Sequence, residues 1–336
     1  MKPSFHPRLI NDPFSDPGLF IPFLFQKRAI LFDLGDISTL SAKDILKISH
    51  IFVTHTHMDH FIGFDLLLRH LLGHDKKIHL YGPPGFMKNI EAKLHGYTWN
   101  LIENYESTLS LIVTEVHKEY AFTQTYHSRD KFKAHIPTEK FPFNGELHSE
   151  QSFSVNAVLL DHKIDILGLS LNENFSINII KEGLKELGLS VGPWIREFKN
   201  AVYEGKNPKK MFRIKRDEKN QGIKETLFPM HKLIDTIARI SPGQKITYIT
   251  DIIGSNENIK KAIELAKYST HLFIEAPFLD KDKDIAKTKY HLTAKQAGFI
   301  GARAHVKNLT TFHFSPRYFG RENDIIEEAM KTFQSS

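Results

Sequence analysis

The fold of this chain is decided by the stretch Ile51-Phe-Val-Thr-His55-Thr-His57-Met-Asp59-His60. It begins as an apolar, β-branched run, which is typical of a buried strand. It ends in three histidines and an aspartate within six residues, and a helical pattern follows from Phe61 to Leu72. Because a loop between a strand and a helix holds reactive groups on a rigid frame, this stretch predicts a functional site.

The spacing of these side chains indicates two metal ions. His55 and His57 are two residues apart, so in an extended segment they point the same way and can bind one ion. Asp59 and His60 are adjacent where the chain turns into the helix, and they can face a second ion. Imidazole and carboxylate groups are good ligands for zinc and similar divalent metals. The alternative is a polar turn whose histidines share no role.

The composition describes an ordinary globular protein. The chain has 336 residues, of which 41% are hydrophobic and 25% charged, enough for one large domain with an insertion or for two domains. It has no cysteine, so a metal site must use nitrogen and oxygen ligands. With no bilayer-length apolar run and no secretion signal at its start, the chain is expected to be cytoplasmic, without a membrane partner. The net charge of +6 is compatible with a nucleic-acid partner without requiring one.

Reactive side chains also follow several of the predicted strands farther along the chain. They are Asp33, His162, Asp251, Glu275 and His313. The alternation of strands with single helices predicts α/β layers with mixed sheets, and it places these side chains at one edge of the sheets.

Three of these strand-end residues have expected roles. His162 is expected to be a third ligand of the ion bound by His55 and His57, and the alternative is a structural histidine. Asp251 can bridge two ions with its two oxygens. Asp33 is followed by a tight turn, and we expect it to brace the metal loop by hydrogen bonds rather than to bind metal.

Residues 172–226 differ from their surroundings. A predicted helical stripe, closed by Gly188, comes first and contains Ile177, Ile180, Leu184 and Leu187. From Ile195 to Arg216 there are eight basic residues against two acidic ones, an excess equal to the net charge of the whole chain. A basic run is ordinarily a solvated surface. Because this one contains aromatic residues and lies between candidate metal ligands, it predicts an arm that follows nucleic-acid phosphates.

Taken together, these motifs resemble the ribonuclease Z family of the metallo-β-lactamase-fold superfamily over about residues 28–320. In chain order they are Phe32-Asp33-Leu-Gly35, His55 to His60, Asp161-His162-Lys163 with Gly168, Asp251, Glu275-Ala-Pro-Phe, His291-Leu-Thr-Ala-Lys-Gln-Ala and His313-Phe-Ser315-Pro-Arg317-Tyr. Leu184 to Gly188 with Gly192-Pro193 resembles the protruding arm of that family. The chain departs from the family at Ile252 and Pro277, and it lacks the family's N-terminal glycine-rich motif.

The resemblance implies a fold and a division of the chain. The fold is an α/β, four-layer αββα metallo-β-lactamase sandwich with an inserted protruding arm. Residues 1–171 and 227–336 would form the catalytic domain, and residues 172–226 would form the inserted basic arm. The arm residues expected to contact RNA are Gly192, Pro193, Lys206, Lys209 and Lys210. A homodimer is also implied, in which the arm of one subunit reaches RNA on the other.

The resemblance also implies a dinuclear zinc centre, with manganese as the alternative metal. Its ligands would be His55, His57 and His162 for one ion, Asp59, His60 and His313 for the other, and Asp251 between them. The catalytic residues would be Asp59, which accepts a proton, His291, which protonates the leaving oxygen, and Glu275, which orients His291. Ser315 and Arg317 would hold a phosphate. The alternative for His291 is a surface histidine at a helix start.

The implied function is an endoribonuclease that removes the 3′ trailer of transfer RNA precursors by attack of metal-activated water. The first alternative is a phosphodiesterase with the same centre that acts on cyclic nucleotides or on another nucleic acid. The second is a non-catalytic RNA-binding protein, which the intact ligand set disfavours. A thioester or lactam hydrolase is disfavoured, because neither activity needs a basic arm.

Overall fold

The computed structural model describes residues 5–24, 26–218 and 222–335. They fall into two compact units. The larger contains Phe5–His148, Val155–Leu171 and Lys245 onward, and the smaller contains Ser149–Ser154 and Asn172–Gln244. The predicted domain bounds include residues 1–4, 25, 219–221 and 336, which lie outside the described residues. The assignment of residues 172–226 as an inserted arm stays a prediction.

The first sheet of the larger unit has eight strands in the described chain, arranged in chain order. They are β1 Arg8–Leu9, β2 Leu19–Pro22, β3 Ala29–Phe32, β4 Ile48–Phe52, β5 Lys76–Gly82, β6 Leu109–Val116, β7 Tyr120–His127 and β8 Ala134–Pro142. Strands β3 to β6 are parallel, and antiparallel strands flank them on both sides. The sheet is therefore mixed, as predicted.

The second sheet has six strands in the described chain, in the order β18-β17-β16-β11-β10-β9. Their bounds are β9 Glu146–Ser149, β10 Phe153–Asp161, β11 Asp165–Glu173, β16 Lys245–Ile249, β17 His271–Glu275 and β18 Leu309–Phe312. The remaining strands are β12 Phe175–Ile179, β13 Met211–Glu218, β14 Gly222–Pro229 and β15 Ala238–Pro242. Strands β16, β17 and β18 are parallel, so their carboxyl ends meet at one edge.

Eight of the eighteen described strands lead into α-helices. In chain order the α-helices are α1 Ala42–Ile45, α2 Met58–Phe61, α3 Phe64–Leu71, α4 Phe86–His95, α5 Lys181–Glu186, α6 Trp194–Tyr203, α7 Met230–Ile237, α8 Asn256–Ala266, α9 Lys283–Lys289, α10 Ala294–Arg303 and α11 Glu322–Ser335. Thr293 caps α10 in a capping box with Gln296. In the described chain no helix has the length and apolarity needed to span a membrane.

The two sheets of the larger unit pack face to face, with helices on their outer faces. Successive residues of a strand point to opposite faces. Leu31 accordingly joins an apolar core with α3 and α4. Phe32 faces the other way, and its ring lies 6.1 Å from that of Tyr248 in β16. On the second sheet, Leu272 packs in an outer core with α8, α10 and α11. Fully burying a side chain of this size stabilises the fold by about 1.5–3 kcal/mol.

The smaller unit has its own apolar core and its own two-stranded sheets. Trp194 and Phe198 of α6 and Leu233 of α7 lie buried in that core. Strands β12 and β15 pair antiparallel, as do β13 and β14. The predicted helical stripe from Ile177 is wrong in its first part, because Ile177 lies in β12 opposite Ile240 of β15.

Candidate metal centre

Three residues at strand ends of the larger unit share a left-handed backbone conformation. Asp33 follows β3, Asp251 follows the strand β16 and His313 follows β18, with φ angles of 59°, 51° and 60°. Asp and His are among the few residue types that adopt this conformation readily. Such backbone positions concentrate at functional sites, and here they turn three side chains into one edge of the sandwich.

The first predicted ligand group comes together in the structure. His55, His57, His162 and Asp251 each offer a ligand atom within 4.8 Å of the others. His55 and His57 lie in the loop between β4 and α2, whereas His162 lies just beyond β10. Their arrangement agrees with the prediction that a distant histidine joins the two from the loop.

The second predicted group, Asp59, His60 and His313, forms a similar cluster within 4.8 Å. Asp59 Oδ2 lies 3.4 Å from His60 Nε2 and 3.2 Å from His313 Nε2. Gly35 makes this close packing feasible, since a Cβ there would lie 2.7 Å from the Asp59 carbonyl oxygen and 2.4 Å from that of Pro17.

Asp251 lies between the two groups. Its Oδ2 atom is 3.5 Å from His55 Nε2, 3.5 Å from His60 Nε2 and 3.7 Å from His162 Nε2. Its Oδ1 atom is 3.2 Å from His313 Nδ1. This carboxylate therefore faces histidines of both clusters, which is the position that a bridging ligand requires.

Outer hydrogen bonds fix the orientation of three of these rings. The Nδ1 atom of His55 lies 3.0 Å from Thr54 Oγ1, that of His60 lies 2.8 Å from Asp33 Oδ2, and that of His162 lies 2.8 Å from the carbonyl oxygen of Tyr290. A proton held on Nδ1 by such a partner leaves Nε2 as the atom that can bind metal.

Asp33 is the centre of this outer layer. It is fully buried, accepts hydrogen bonds from Thr54 N at 2.7 Å, Thr54 Oγ1 at 3.0 Å and Tyr248 Oη at 3.0 Å, and contacts His60. The predicted hydrogen bonds of Asp33 to the loop from Thr54 to His60 are thereby confirmed, and its role toward a metal stays a prediction. Sequence reasoning missed Tyr248, whose ring reaches Asp33 from a strand 215 residues away.

The residues present fit metal ions. His55 Nε2, His60 Nε2 and His313 Nδ1 are buried polar atoms without a hydrogen-bond partner in the described chain. Buried polar atoms are nearly always paired, so three such atoms beside carboxylates call for a ligand. Imidazole nitrogens and carboxylate oxygens are the donor set of zinc sites without cysteine. The two clusters can thus hold metal ions.

The electrostatics of the site also favour cations. Burial lowers the pKa of His55, His57 and His162, which favours their neutral, ligating form. Burial also lowers the pKa of His313, but the carboxylates of Asp251 and Asp59 outweigh it and raise that pKa to about 10. Burial raises the pKa of Asp251, whereas the neighbouring histidines hold it well below its usual range. The carboxylates therefore stay ionised and attract positive charge.

A buried carboxylate orients the predicted proton donor. Glu275 Oε2 lies 2.7 Å from His291 Nδ1, and Glu275 Oε1 accepts hydrogen bonds from Ile252 N at 2.8 Å and Leu292 N at 3.2 Å. Burial lowers the pKa of His291, but the charge of Glu275 raises it above its ordinary value. Since Nδ1 is held by Glu275, Nε2 is the ring atom available for chemistry.

The predicted phosphate residues lie beside this site. Ser315 and Arg317 line a cavity that also contains Asp59, His291 and His313. The predicted arm residues belong to the smaller unit, where Gly192 and Pro193 precede α6. Lys206, Lys209 and Lys210 are exposed beyond its end.

We expect Asp33→Asn to weaken zinc binding by about 10- to 100-fold, the usual cost of losing an outer partner of a ligand. The amide NH2 group introduced by this substitution would face the hydrogen-bond donors of Thr54 and Tyr248, so these contacts would no longer all be satisfied. Competition with a chromogenic chelator measures the affinity. Asp36→Asn is the matched control, because Asp36 is exposed and its carboxylate caps Ser38. Equal affinities in the two variants would contradict the bracing role.

Comparison with known proteins supports the fold and the family resemblance. The chain is 28% identical over 298 residues to a Ribonuclease Z of Deinococcus radiodurans, a match that covers 88% of this chain and 84% of that protein. It is 26% identical over 306 residues to a Ribonuclease Z of Pyrococcus horikoshii, covering 87% and 79%. No model of a known protein family matches the chain. The predicted resemblance to the ribonuclease Z proteins is confirmed.

Among solved structures, the chain is similar to the metallo-β-lactamase fold protein YhfI from Bacillus subtilis. The TM-score is 0.54 at 13% identity, and the match covers 98% of this chain and 94% of that one. At this identity the likeness concerns the fold alone. It confirms the predicted metallo-β-lactamase sandwich.

Proposed function

We propose that this chain is a dinuclear zinc endoribonuclease that removes the 3′ trailer of transfer RNA precursors. The observation that carries the proposal is the meeting of seven predicted ligands beside the Glu275–His291 pair. The names of the relatives, Ribonuclease Z, agree with a metal-dependent hydrolase. By the same resemblance we propose a cytoplasmic homodimer.

The proposed ligands divide between two ions. His55, His57 and His162 would hold one ion, and Asp59, His60 and His313 would hold the other, with Asp251 contributing to both. Zinc suits this set of nitrogen and oxygen donors, and manganese is the alternative. When bound, two such ions activate water and neutralise charge that develops on phosphate oxygens.

The chain's own residues position the substrate and move protons. Asp59 is partly exposed, with 40% of its side chain accessible, so it can face the water that attacks the phosphorus, and in this proposal it accepts the proton of that water. His291 Nε2 gives a proton to the departing oxygen, while Glu275 keeps the ring oriented and favours its protonated form. Arg317 holds a phosphate through two parallel hydrogen bonds, and Ser315 adds a third.

The smaller unit supplies the electrostatic attraction in this proposal. Lys206, Lys209 and Lys210 are exposed between α6 and β13, and Lys206 forms an ion pair with Glu204 at 2.6 Å. On the adjoining hairpin, Arg213 and Lys215 flank Glu225 at 3.5 Å each. These five cations outnumber the two carboxylates, Glu204 and Glu225, and such an excess of positive charge binds nucleic-acid phosphates and releases counterions.

The direct experiment is to incubate the zinc-loaded protein with a precursor transfer RNA and, separately, with a cyclic nucleotide, and to size the products. Release of a mature-length RNA and a short trailer supports the proposal. Hydrolysis of the cyclic nucleotide without cleavage of the RNA would favour the other phosphodiesterase.

A charge-neutralised arm provides a sharper test. In a variant carrying Lys206→Gln, Lys209→Gln and Lys210→Gln, we expect weaker binding of precursor RNA. The slope of log affinity against log salt should fall by up to about 3, one unit for each lysine that contacts a phosphate. Hydrolysis of a small chromogenic phosphodiester should be unchanged, because that substrate lacks the RNA backbone that the arm is proposed to bind.

The matched control replaces the exposed Lys43, Lys260 and Lys331 of the larger unit by glutamine. It should keep the parent's salt slope. Equal loss of both activities in the arm variant would show that the arm is structural. A flat salt response of the parent would remove the nucleic-acid interpretation.

A further inference from the structure

A cavity of about 480 Å³ opens beside the candidate metal centre, within the larger unit. This volume falls in the range of about 300–1,000 Å³ that is typical of small-molecule sites. His291 and His313 lie on one side of it. Its other walls come from the N-terminal loop that carries Phe14, from α9 and from the turn at Arg317. Apart from Ser315 and Arg317, the residues of these other walls have no role in the mechanism proposed above.

Two cations line this cavity. Lys289 is the last residue of α9, and Arg317 lies in the turn after His313; both are exposed. Within the described residues, neither side chain forms an ion pair with a carboxylate. Asp16 and Asp59 also line the cavity. Because carboxylates repel a phosphate, we expect a phosphate to bind at Lys289 and Arg317.

An aromatic pair adjoins this cavity, since Phe14 lines the cavity and Phe319 packs against Phe14. Phe319 is 76% exposed, and its ring centroid is 4.9 Å from that of Phe14, with the two planes inclined by 34°. Phe14 packs edge-on against the buried Phe314 at 5.6 Å. The Phe14 loop is held in place because Phe14 N donates to Asp12 Oδ1 at 2.9 Å and Phe314 N donates to the Pro13 carbonyl oxygen at 2.7 Å.

Cations beside an exposed aromatic ring form the combination that binds single-stranded nucleic acid. The cations bind the backbone, and each base stacks on a ring, with a contribution of about 1–3 kcal/mol per base. Arg317 lies two residues before Phe319 in the chain, so this cation is close to the ring. The reactive atoms of the centre line the same cavity, so a nucleotide held here would adjoin the phosphate that is cleaved.

We propose that this cavity and the adjoining Phe319 ring form a nucleotide subsite, in which the base next to the scissile phosphate stacks on Phe319 and the following phosphate contacts Lys289 and Arg317. The inference rests on the proposed function and deepens it, because it specifies an unpaired nucleotide at the cleavage position. Phe14 acts as a positioning residue that supports the Phe319 ring.

The test uses RNA with 2-aminopurine placed on one or the other side of the cut, bound to the metal-free protein. Stacking quenches the fluorescence of this base. We expect quenching at one of the two positions in the parent and in Phe319→Tyr, and its loss in Phe319→Ala. Phe299→Ala is the matched control, since Phe299 is also an exposed phenylalanine, on α10.

Cleavage by the zinc-loaded protein gives the second readout. We expect Phe319→Ala to raise KM about tenfold, within the scale of base stacking, for RNA with the base present. For RNA with an abasic unit at that position, the variant and the parent should have the same KM.

These measurements distinguish failure of the proposed function from failure of the subsite. Parent protein that does not cleave any RNA would refute the proposed function, whereas the quenching would still report the subsite. Cleavage or quenching that is indifferent to Phe319→Ala would overturn the subsite alone. A change in oligomeric state with unchanged quenching would assign Phe319 to a contact between copies of the chain, and would also overturn it.

Discussion

Asp251→Asn is expected to abolish zinc-dependent hydrolysis of both RNA and a small phosphodiester. The Oδ2 atom of Asp251 lies 3.5–3.7 Å from the Nε2 atoms of His55, His60 and His162. An amide in its place loses the negative charge that both clusters share. The loss should therefore exceed the roughly 10- to 100-fold that follows loss of an outer partner. Metal content, measured by mass spectrometry, should fall together with the rate.

The matched control for this substitution is Asp161→Asn. Asp161 is adjacent to the candidate ligand His162, but its carboxylate is exposed and accepts a hydrogen bond from Lys163 N at 2.8 Å. We expect it to keep nearly all activity and metal. Circular dichroism of both variants checks the fold. An Asp251→Asn protein that is folded and as active as the parent would refute the dinuclear centre.

The candidate centre could be predicted from the sequence because its residues follow strands. Parallel strands β16, β17 and β18 bring their carboxyl ends to one edge, so Asp251, Glu275 and His313 have to lie near each other. The dense group from His55 to His60 is local. No long-range geometry is needed to recognise it as a pair of ligand sites.

The outer layer could not be predicted in the same way, apart from Asp33. Tyr248 reaches Asp33 across 215 residues, and the Tyr290 carbonyl reaches His162 across 128 residues. The Tyr248 contact depends on how the two sheets face each other, and the Tyr290 contact depends on where the end of α9 meets the end of β10. No spacing in the sequence encodes either distance. The contact to His162 is made by the backbone carbonyl of Tyr290, whose φ is 62°. The side-chain type at position 290 therefore does not predict this contact.

The mistaken helix at Ile177 has a different cause. Spacings of three and four between apolar residues predict a helix. Tertiary pairing overrides that pattern, since β12 forms five residue pairs with β15, from Phe175–Pro242 to Ile179–Ala238. The sequence also did not predict that the N-terminal loop lies near the site, although Phe14 lines the cavity beside the candidate metal centre.

His291→Ala is expected to slow cleavage of RNA by about 10²- to 10⁴-fold, the usual contribution of a general acid, without loss of metal. Its ring centroid lies 5.1 Å from that of His162 and 5.6 Å from that of His313, so the side chain lies beside candidate ligands of both ions. Its Nδ1 atom is bound to Glu275, which the backbone of Ile252 and Leu292 anchors.

Two substrates with different leaving groups distinguish proton donation by His291 from a structural role. A nitrophenolate leaves without a proton, whereas the ribose oxygen of RNA needs one. His291→Ala should therefore impair hydrolysis of a nitrophenyl phosphodiester far less than cleavage of RNA. His95→Ala, an exposed histidine on α4, is the matched control and should leave both rates unchanged. Equal loss on the two substrates would mean that His291 supports the site rather than protonating the leaving oxygen, and the donor would then lie elsewhere.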